Sequence, residues 1–276
     1  MFKKYNPFLL ITVLLGICYL ATYIPHKQVS YSTFKPSKMA LEVSKERKQV
    51  HDEALAQIKA DFAISDEKWD QFMGSCQYTI EQDDLLGSGS IVCDNNEPEI
   101  VSTTKKMLVE YGINPERVTV KVMRLGDTAA QAVQELSDDN KIIHRIELDI
   151  NRLNKNSKAI QEALIRHEIM HLLNYDPLEG SYIITMLYQC GYSRQECTKA
   201  PAMIAYRHQR ETRADLLASC DHPEVAQALQ AYFEKFFTSM DQNNPALWTS
   251  HPTDITRHTQ LAGLLTDMGI KNTTVV

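Results

Sequence analysis

The first pattern in the chain is an apolar stretch near its N-terminus. Phe8 to Ile24 contains no charged residue, and it follows Lys3 and Lys4. A stretch of this length is at the lower limit for a membrane-spanning helix. We therefore expect residues 8–24 to form a transmembrane signal anchor, or alternatively a cleaved signal peptide, after a short basic N-terminus at residues 1–7. Because basic residues favour the cytoplasmic side, we predict a single-pass membrane protein whose remaining chain is extracytoplasmic.

The next part of the chain, residues 25–98, has a charged pattern that is typical of exposed helices. Ser37 to Ile64 is rich in charged and helix-forming residues. Ser65, followed by two acidic residues, has the composition of a helix start, and this predicts a second helix that continues through Cys76. This part carries no motif with recognisable chemistry. We therefore predict a helical spacer between the anchor and a compact domain.

From residue 99 onward the pattern becomes that of a compact domain, at residues 99–276. A helix is predicted from Glu99 to Tyr111, where Gly112 ends it. Alternating apolar and polar residues predict a strand over Val118–Val122. The same alternation predicts a second strand, whose apolar positions are Ile146, Leu148 and Ile150.

A longer pattern follows these two strands. Ser157 to Leu173 reads as a helix whose apolar positions include Ile160, Leu164 and Ile165. Helical patterns outnumber the strands throughout the chain. We therefore predict an α+β fold that is mainly helical and contains a small β-sheet.

Composition excludes several classes of protein. The chain has 276 residues, 43% of them hydrophobic, which is too many for a disordered chain, and it has no glycine period of the collagen kind. Its net charge is −6, so it lacks the broad basic field of a nucleic-acid-binding protein. We expect a globular protein with no nucleic-acid partner.

The strongest chemical signal lies inside the helix predicted at 157–173. It is the sequence His167-Glu168-Ile169-Met170-His171, which has the form H-E-x-x-H. Since an α-helix has 3.6 residues per turn, the two histidines lie on one face, where they can hold one zinc ion. Glu168 lies beside that face, which suits a general base better than a third ligand.

A third metal ligand is expected from a second helix, at residues 207–220. Glu211 can reach the metal, and Asp215 lies one turn later on the same face. Asp215 can accept a hydrogen bond from a ligating imidazole and thereby select its tautomer. His208 is a weaker alternative ligand, because a surface histidine is the simpler interpretation of that position.

Five cysteines follow the predicted anchor, and none of them forms a C-x-x-C pair, so a zinc site made of thiolates is not expected. Cys76 with Cys93, and Cys190 with Cys197, are close enough in sequence to close short disulfide loops in an oxidising compartment. The alternative is that they are buried free thiols. The odd fifth residue, Cys220, leaves both possibilities open.

A third motif near the C-terminus carries a resemblance to a known family. Ser250-His251-Pro252 is followed by Arg257 with the spacing S-H-P-x-x-x-x-R. The motifs H-E-x-x-H, E-x-x-A-D and S-H-P-x-x-x-x-R, in this order, resemble the gluzincin metallopeptidases of the CAAX prenyl endopeptidase and HtpX type. The resemblance covers residues 99–265.

The resemblance implies a zincin-like metalloprotease fold with one zinc ion per chain, held by His167, His171 and Glu211. It also implies that Glu168 is the general base and that His251 and Arg257 stabilise the tetrahedral intermediate of peptide hydrolysis. The expected function is that of a zinc-dependent endopeptidase, anchored in a membrane and acting on a peptide or protein substrate.

Two departures from the family shape this expectation. The prenyl endopeptidases and HtpX proteins have several membrane spans, whereas this chain has one candidate, so a small single-anchor member is expected. Asp127 to Val133 lacks the Asn-Ala pair that many relatives place on the substrate-binding edge strand. Two alternatives stay open: a membrane-anchored, non-catalytic binding or chaperone-like protein with a structural metal site, and a zinc hydrolase that acts on a non-peptide amide.

Overall fold

The computed structural model describes residues 36–87, 97–235 and 251–270. This part of the chain is mainly helical and contains a three-stranded sheet, which confirms the predicted fold class at that level. The predicted anchor, Phe8–Ile24, lies outside the described residues. Within the described ranges, no helix is long and apolar enough to cross a membrane.

Two helices form the first part, α1 (Lys38–Asp61) and α2 (Asp66–Glu81). Each begins at a serine whose hydroxyl accepts a hydrogen bond from a backbone N–H three residues later: Ser37 from Ala40, and Ser65 from Lys68. The predicted second helix is therefore confirmed, and it extends beyond Cys76.

The sheet follows helix α3 (Glu99–Glu110). Its strands are β1 (Val118–Val122), β2 (Ala130–Leu136) and β3 (Ile142–Leu148). Their order in the sheet is β1-β3-β2, with β1 parallel and β2 antiparallel to the central strand β3. Strand β2 is thus an edge strand of the sheet.

The sequence-based prediction of the sheet was wrong at two points. The second predicted strand ends at Leu148 and not at Ile150, because the Asp149 side chain accepts hydrogen bonds from the next backbone N–H groups and caps the short helix α4 (Ile150–Leu153). Strand β2 was not predicted. Its sequence, AQAVQEL, has few β-branched residues, and its pairing with β3 decides its conformation.

Six further helices complete the described fold. The predicted metal-binding helix is α5 (Lys158–Leu173), and the hydroxyl of Ser157 caps it. The others are α6 (Asp176–Gln189), α7 (Arg194–Lys199), α8 (Pro201–Cys220), α9 (Pro223–Glu234) and α10 (Asp254–Asp267).

Helix α5 occupies the middle of the larger hydrophobic core, where it packs against β2, α8 and α9. Ile165, Ile169 and Leu172 are completely buried there. A smaller core lies between α1, α6 and α8, around Ile58 and Tyr206. Because α1 packs along α8, the described part of the predicted spacer belongs to the packed body that carries the site.

The cysteines bear on the two proposed pairings. Cys190 and Cys197 are free thiols that pack in the smaller core, so the structure supports the free-thiol alternative for this pair and not the disulfide loop. Cys76 is buried, and its proposed partner Cys93 lies outside the described residues. Cys76 is also a free thiol, so the free-thiol alternative holds for it as well.

Candidate metal centre

Two helices bring three ligand-type side chains together. His167 and His171 lie one turn apart on α5, and Glu211 approaches them from α8. One ligand atom from each of the three lies within 4.8 Å of the other two, so this group can hold a metal ion. His208, the weaker alternative ligand, is not a member of the group.

The nitrogen and oxygen atoms converge on a common point. Nε2 of His167 and Nε2 of His171 are 3.0 Å apart. The Glu211 carboxylate reaches both rings, with 3.3 Å from Oε2 to His167 Nε2 and 3.4 Å from Oε1 to His171 Nε2. Both imidazoles are almost fully buried, so few water molecules can separate these groups.

A buried aspartate lies behind His171. Oδ2 of Asp176, the first residue of α6, is 2.6 Å from His171 Nδ1. The other carboxylate oxygen accepts a hydrogen bond from Arg213, and Nε of Arg210 lies 3.7 Å from it. Burial alone would raise the pKa of Asp176, but the charges of Arg213 and Arg210 lower it well below its usual value. Asp176 is therefore an ionised carboxylate that accepts a hydrogen bond from the His171 Nδ1–H.

His167 has the same kind of partner, and it is the residue that the sequence predicts. Oδ1 of Asp215 lies 2.8 Å from His167 Nδ1. Arg257 holds this carboxylate with two hydrogen bonds, from Nε at 2.6 Å and from Nη2 at 2.7 Å. Burial opposes ionisation of Asp215, but Arg257 and His167 lower its pKa.

These contacts test whether the group fits a metal ion. Since each carboxylate only accepts hydrogen bonds, it favours a proton on Nδ1 of the imidazole that it faces. In a neutral ring the Nε2 lone pair then points at the other lone pair and at Glu211. Oε2 of Glu211 is buried and has no hydrogen-bond partner among the described residues. With both rings neutral, three electron-rich atoms face one another in this way, and they fit a shared cation, either a proton or a metal ion.

The ionisation of the group is consistent with that fit. Burial alone would raise the pKa of Glu211, but the neighbouring imidazoles hold it well below its usual value. Burial would lower the pKa of His167, but Asp215 and Glu211 raise it to about 10. The surrounding carboxylates thus favour positive charge at the position where a metal ion would bind.

Glu168 is attached to the edge strand. Its Oε2 accepts a hydrogen bond of 2.7 Å from the backbone N–H of Ala132 in β2. Burial raises its pKa, although His167 and His171 partly offset the effect. A partly buried carboxylate with a raised pKa is a better proton acceptor than an ordinary carboxylate, as a general base must be.

His251 borders the open side of the site. Its Nε2 lies 3.4 Å from Glu211 Oε2, and its side chain is 54% exposed, whereas that of Glu211 is 14% exposed. Arg257, the other residue of the C-terminal motif, is buried on Asp215, and its Nη2 is 3.7 Å from Glu211 Oε2. The structure therefore places His251, and not Arg257, where a bound molecule could reach it.

Asp176 is the site residue that the sequence analysis missed. The sequence feature that could have indicated Asp176 is Tyr-Asp-Pro, which follows helix α5. The same three residues are also typical of an ordinary helix start. Only the turn between α5 and α6 brings this carboxylate back to His171.

Comparison of the chain with protein families, with curated proteins and with solved structures finds no match. The motifs and the geometry of this site are therefore the observations from which a function can be inferred.

Proposed function

We propose that the chain is a zinc-dependent endopeptidase. The observation that carries the proposal is the position of Glu168, a general-base candidate with a raised pKa, between the metal-binding group and the edge strand β2. A purely structural metal site has no use for a carboxylate in this place.

Zinc is the metal that we infer for the group. Two imidazoles and one carboxylate, His167, His171 and Glu211, are the ligand types of catalytic zinc sites, which keep one position open. When bound, zinc supplies Lewis acidity towards a peptide carbonyl and makes a water molecule nucleophilic near neutral pH.

In this mechanism Glu168 moves the proton. It accepts a proton from the attacking water and later delivers it to the nitrogen of the leaving amine. The Ala132 N–H holds the carboxylate in a fixed orientation during the first of these steps. Because β2 is an edge strand, an extended peptide can pair with it and lie next to Glu168.

His251 and Arg257 have different roles in the proposal. His251, on the open side, donates a hydrogen bond to the oxygen that becomes negatively charged, as an oxyanion-hole group does. Arg257 donates two hydrogen bonds to Asp215, so we assign it as a positioning residue for Asp215 and His167. This assignment differs from the direct contact with the intermediate that the family resemblance implies.

One observation favours the second candidate, a non-catalytic protein with a structural metal site. His251 Nε2 is close enough to Glu211 that a small movement would make it a fourth ligand and close the site. The two candidates differ in what the loss of Glu168 would do, because a structural site does not need a base.

The test is the exchange of Glu168→Gln in the full chain, with Glu162→Gln on the same helix as the matched control. Cleavage of a proteome-derived peptide library is read by mass spectrometry, and zinc content is measured by elemental analysis. We expect Glu168→Gln to keep one zinc per chain and to lose nearly all cleavage, whereas Glu162→Gln keeps both. Undiminished cleavage by Glu168→Gln would exclude this mechanism.

Membrane attachment is part of the proposal. Phe8–Ile24 is the proposed anchor, and the metal centre is proposed to lie on the extracytoplasmic side. Protease treatment of intact cells should then degrade the part of the chain after residue 30. Protection of that part in intact cells, and its loss after permeabilisation, would reverse the orientation.

A further inference from the structure

The short connection between α5 and α6 contains an unusual backbone conformation. Tyr175 lies directly before Asp176 and has φ +54°, in the left-handed region. That region favours glycine, because a Cβ atom makes it unfavourable. A tyrosine persists there only where its side chain has contacts that hold it.

The hydroxyl of Tyr175 supplies one such contact. It donates a hydrogen bond of 2.7 Å to Oδ2 of Asp83, which lies shortly after the end of α2. The same oxygen is 2.8 Å from Nε2 of His144 in β3. The side chains of His144 and Asp83 are only 2% and 6% exposed, so this is an interior polar network.

Gln134 extends the network to the other end of the connection. Its Nε2 lies 3.1 Å from His144 Nδ1, and it also donates a hydrogen bond of 3.0 Å to the carbonyl of Leu172. The amide nitrogen has two hydrogens, so it can donate to both. His144 Nδ1 is then an acceptor, and the ring proton belongs to Nε2, the atom that lies 2.8 Å from Asp83 Oδ2.

The network therefore holds both sides of the segment that separates a metal ligand from its aspartate. Leu172 follows His171 directly, and Tyr175 precedes Asp176 directly. Movement of either end would change the 2.6 Å contact between Asp176 and His171 Nδ1.

We infer that Asp83, Gln134, His144 and Tyr175, here named the Asp83 network, position Asp176 and through it the imidazole of His171. Tyr175 is the central positioning residue, because it combines the left-handed backbone with the hydroxyl contact. The inference rests on the proposed metal centre. It also gives the region before residue 98 a role in that centre, through Asp83.

The test compares Tyr175→Phe with Tyr182→Phe. Tyr182 is a matched control, because it lies on α6 and its hydroxyl also bonds across to α2, at 3.1 Å from Thr79 Oγ1. Zinc affinity is measured by competition with a chromophoric chelator, and the ligand geometry by the visible spectrum of the Co²⁺-substituted protein. We expect Tyr175→Phe to weaken zinc binding about 10-fold or more and to change the Co²⁺ spectrum at saturation. Tyr182→Phe should leave both unchanged.

A second variant, Asp83→Asn, keeps the shape of the side chain and decides the question if Tyr175→Phe does not fold. Wild-type affinity and spectrum in a folded Tyr175→Phe or Asp83→Asn variant would overturn the inference. Loss of folding in both would also overturn it, because the network would then be a requirement for the fold. If the wild-type chain itself binds no zinc, the proposed function fails, which is a separate result.

Discussion

The carboxylate of Asp176 lies 2.6 Å from Nδ1 of His171, although the two residues belong to consecutive helices that meet at a left-handed turn. Asp215, on a third helix, lies 2.8 Å from Nδ1 of His167 and forms an ion-pair contact with it. Each imidazole thus has its own buried carboxylate, and each carboxylate has its own arginine. This arrangement fixes the orientation of both rings.

The first prediction concerns the metal ligands. One zinc ion should bind per chain, and the double variant His167→Ala/His171→Ala should bind none, because a single carboxylate does not hold zinc. His208→Ala is the matched control and should retain the metal. Elemental analysis after gel filtration gives the stoichiometry. Full occupancy in the double variant would mean that the ligands are elsewhere.

The same binding should depend on pH. Since the pKa of His167 is raised to about 10 without a metal, zinc must displace a proton from this ring at neutral pH. The apparent affinity should therefore fall as the pH decreases, by about tenfold per pH unit for each proton displaced. Calorimetry in buffers of different ionisation enthalpy counts the protons. Zinc binding without proton release would contradict this expectation.

The second prediction concerns the two outer carboxylates. Asp176→Asn and Asp215→Asn should each lower zinc affinity by about 10–100-fold, because each removes the charge that orients an imidazole. Asp139→Asn, an exposed position, is the control and should have no effect. Chelator competition measures all three. A large effect of Asp215→Asn alone would show that Asp176 does not contribute to the metal centre.

The third prediction separates the two roles open to His251. If His251 is an oxyanion donor, the variant His251→Ala should keep zinc, and its kcat and kcat/KM should fall together by about 10²–10³-fold. If His251 is instead a fourth ligand, the variant His251→Ala should bind zinc more weakly. His258→Ala, on helix α10, which begins three residues after His251, is the control. Comparison of zinc content with turnover on any peptide found in the library assay distinguishes the outcomes.

The fourth prediction concerns stability. Arg257→Ala leaves Asp215 as a buried charge without its main partner, so the free energy of unfolding should fall by about 3–5 kcal/mol. Arg117→Ala, which breaks an exposed ion pair with Asp84, should cost no more than about 1 kcal/mol. Urea denaturation of the metal-free proteins measures both. An equal decrease in the free energy of unfolding in the two variants would mean that the buried Arg257 contact stabilises the fold no more than an exposed ion pair does.

Local patterns were sufficient for much of this protein. The periodicity of α5, its serine cap and the spacing of His167 and His171 follow from neighbouring residues alone, because a helix places positions i and i+4 on one face in any fold. The same reasoning places Glu211 and Asp215 on one face of α8. The mainly helical class and the group of side chains that can hold a metal ion could therefore be predicted without coordinates.

Tertiary structure decided what those patterns do not encode. Strand β2, with the Ala132 amide that holds Glu168, exists because β3 pairs with it, and its own sequence has little β-preference. Asp176 and Asp83 lie against histidines only because a turn and a distant helix end bring them there. Contacts between residues far apart in sequence leave no periodic signal, since the folded chain alone determines which buried polar groups meet.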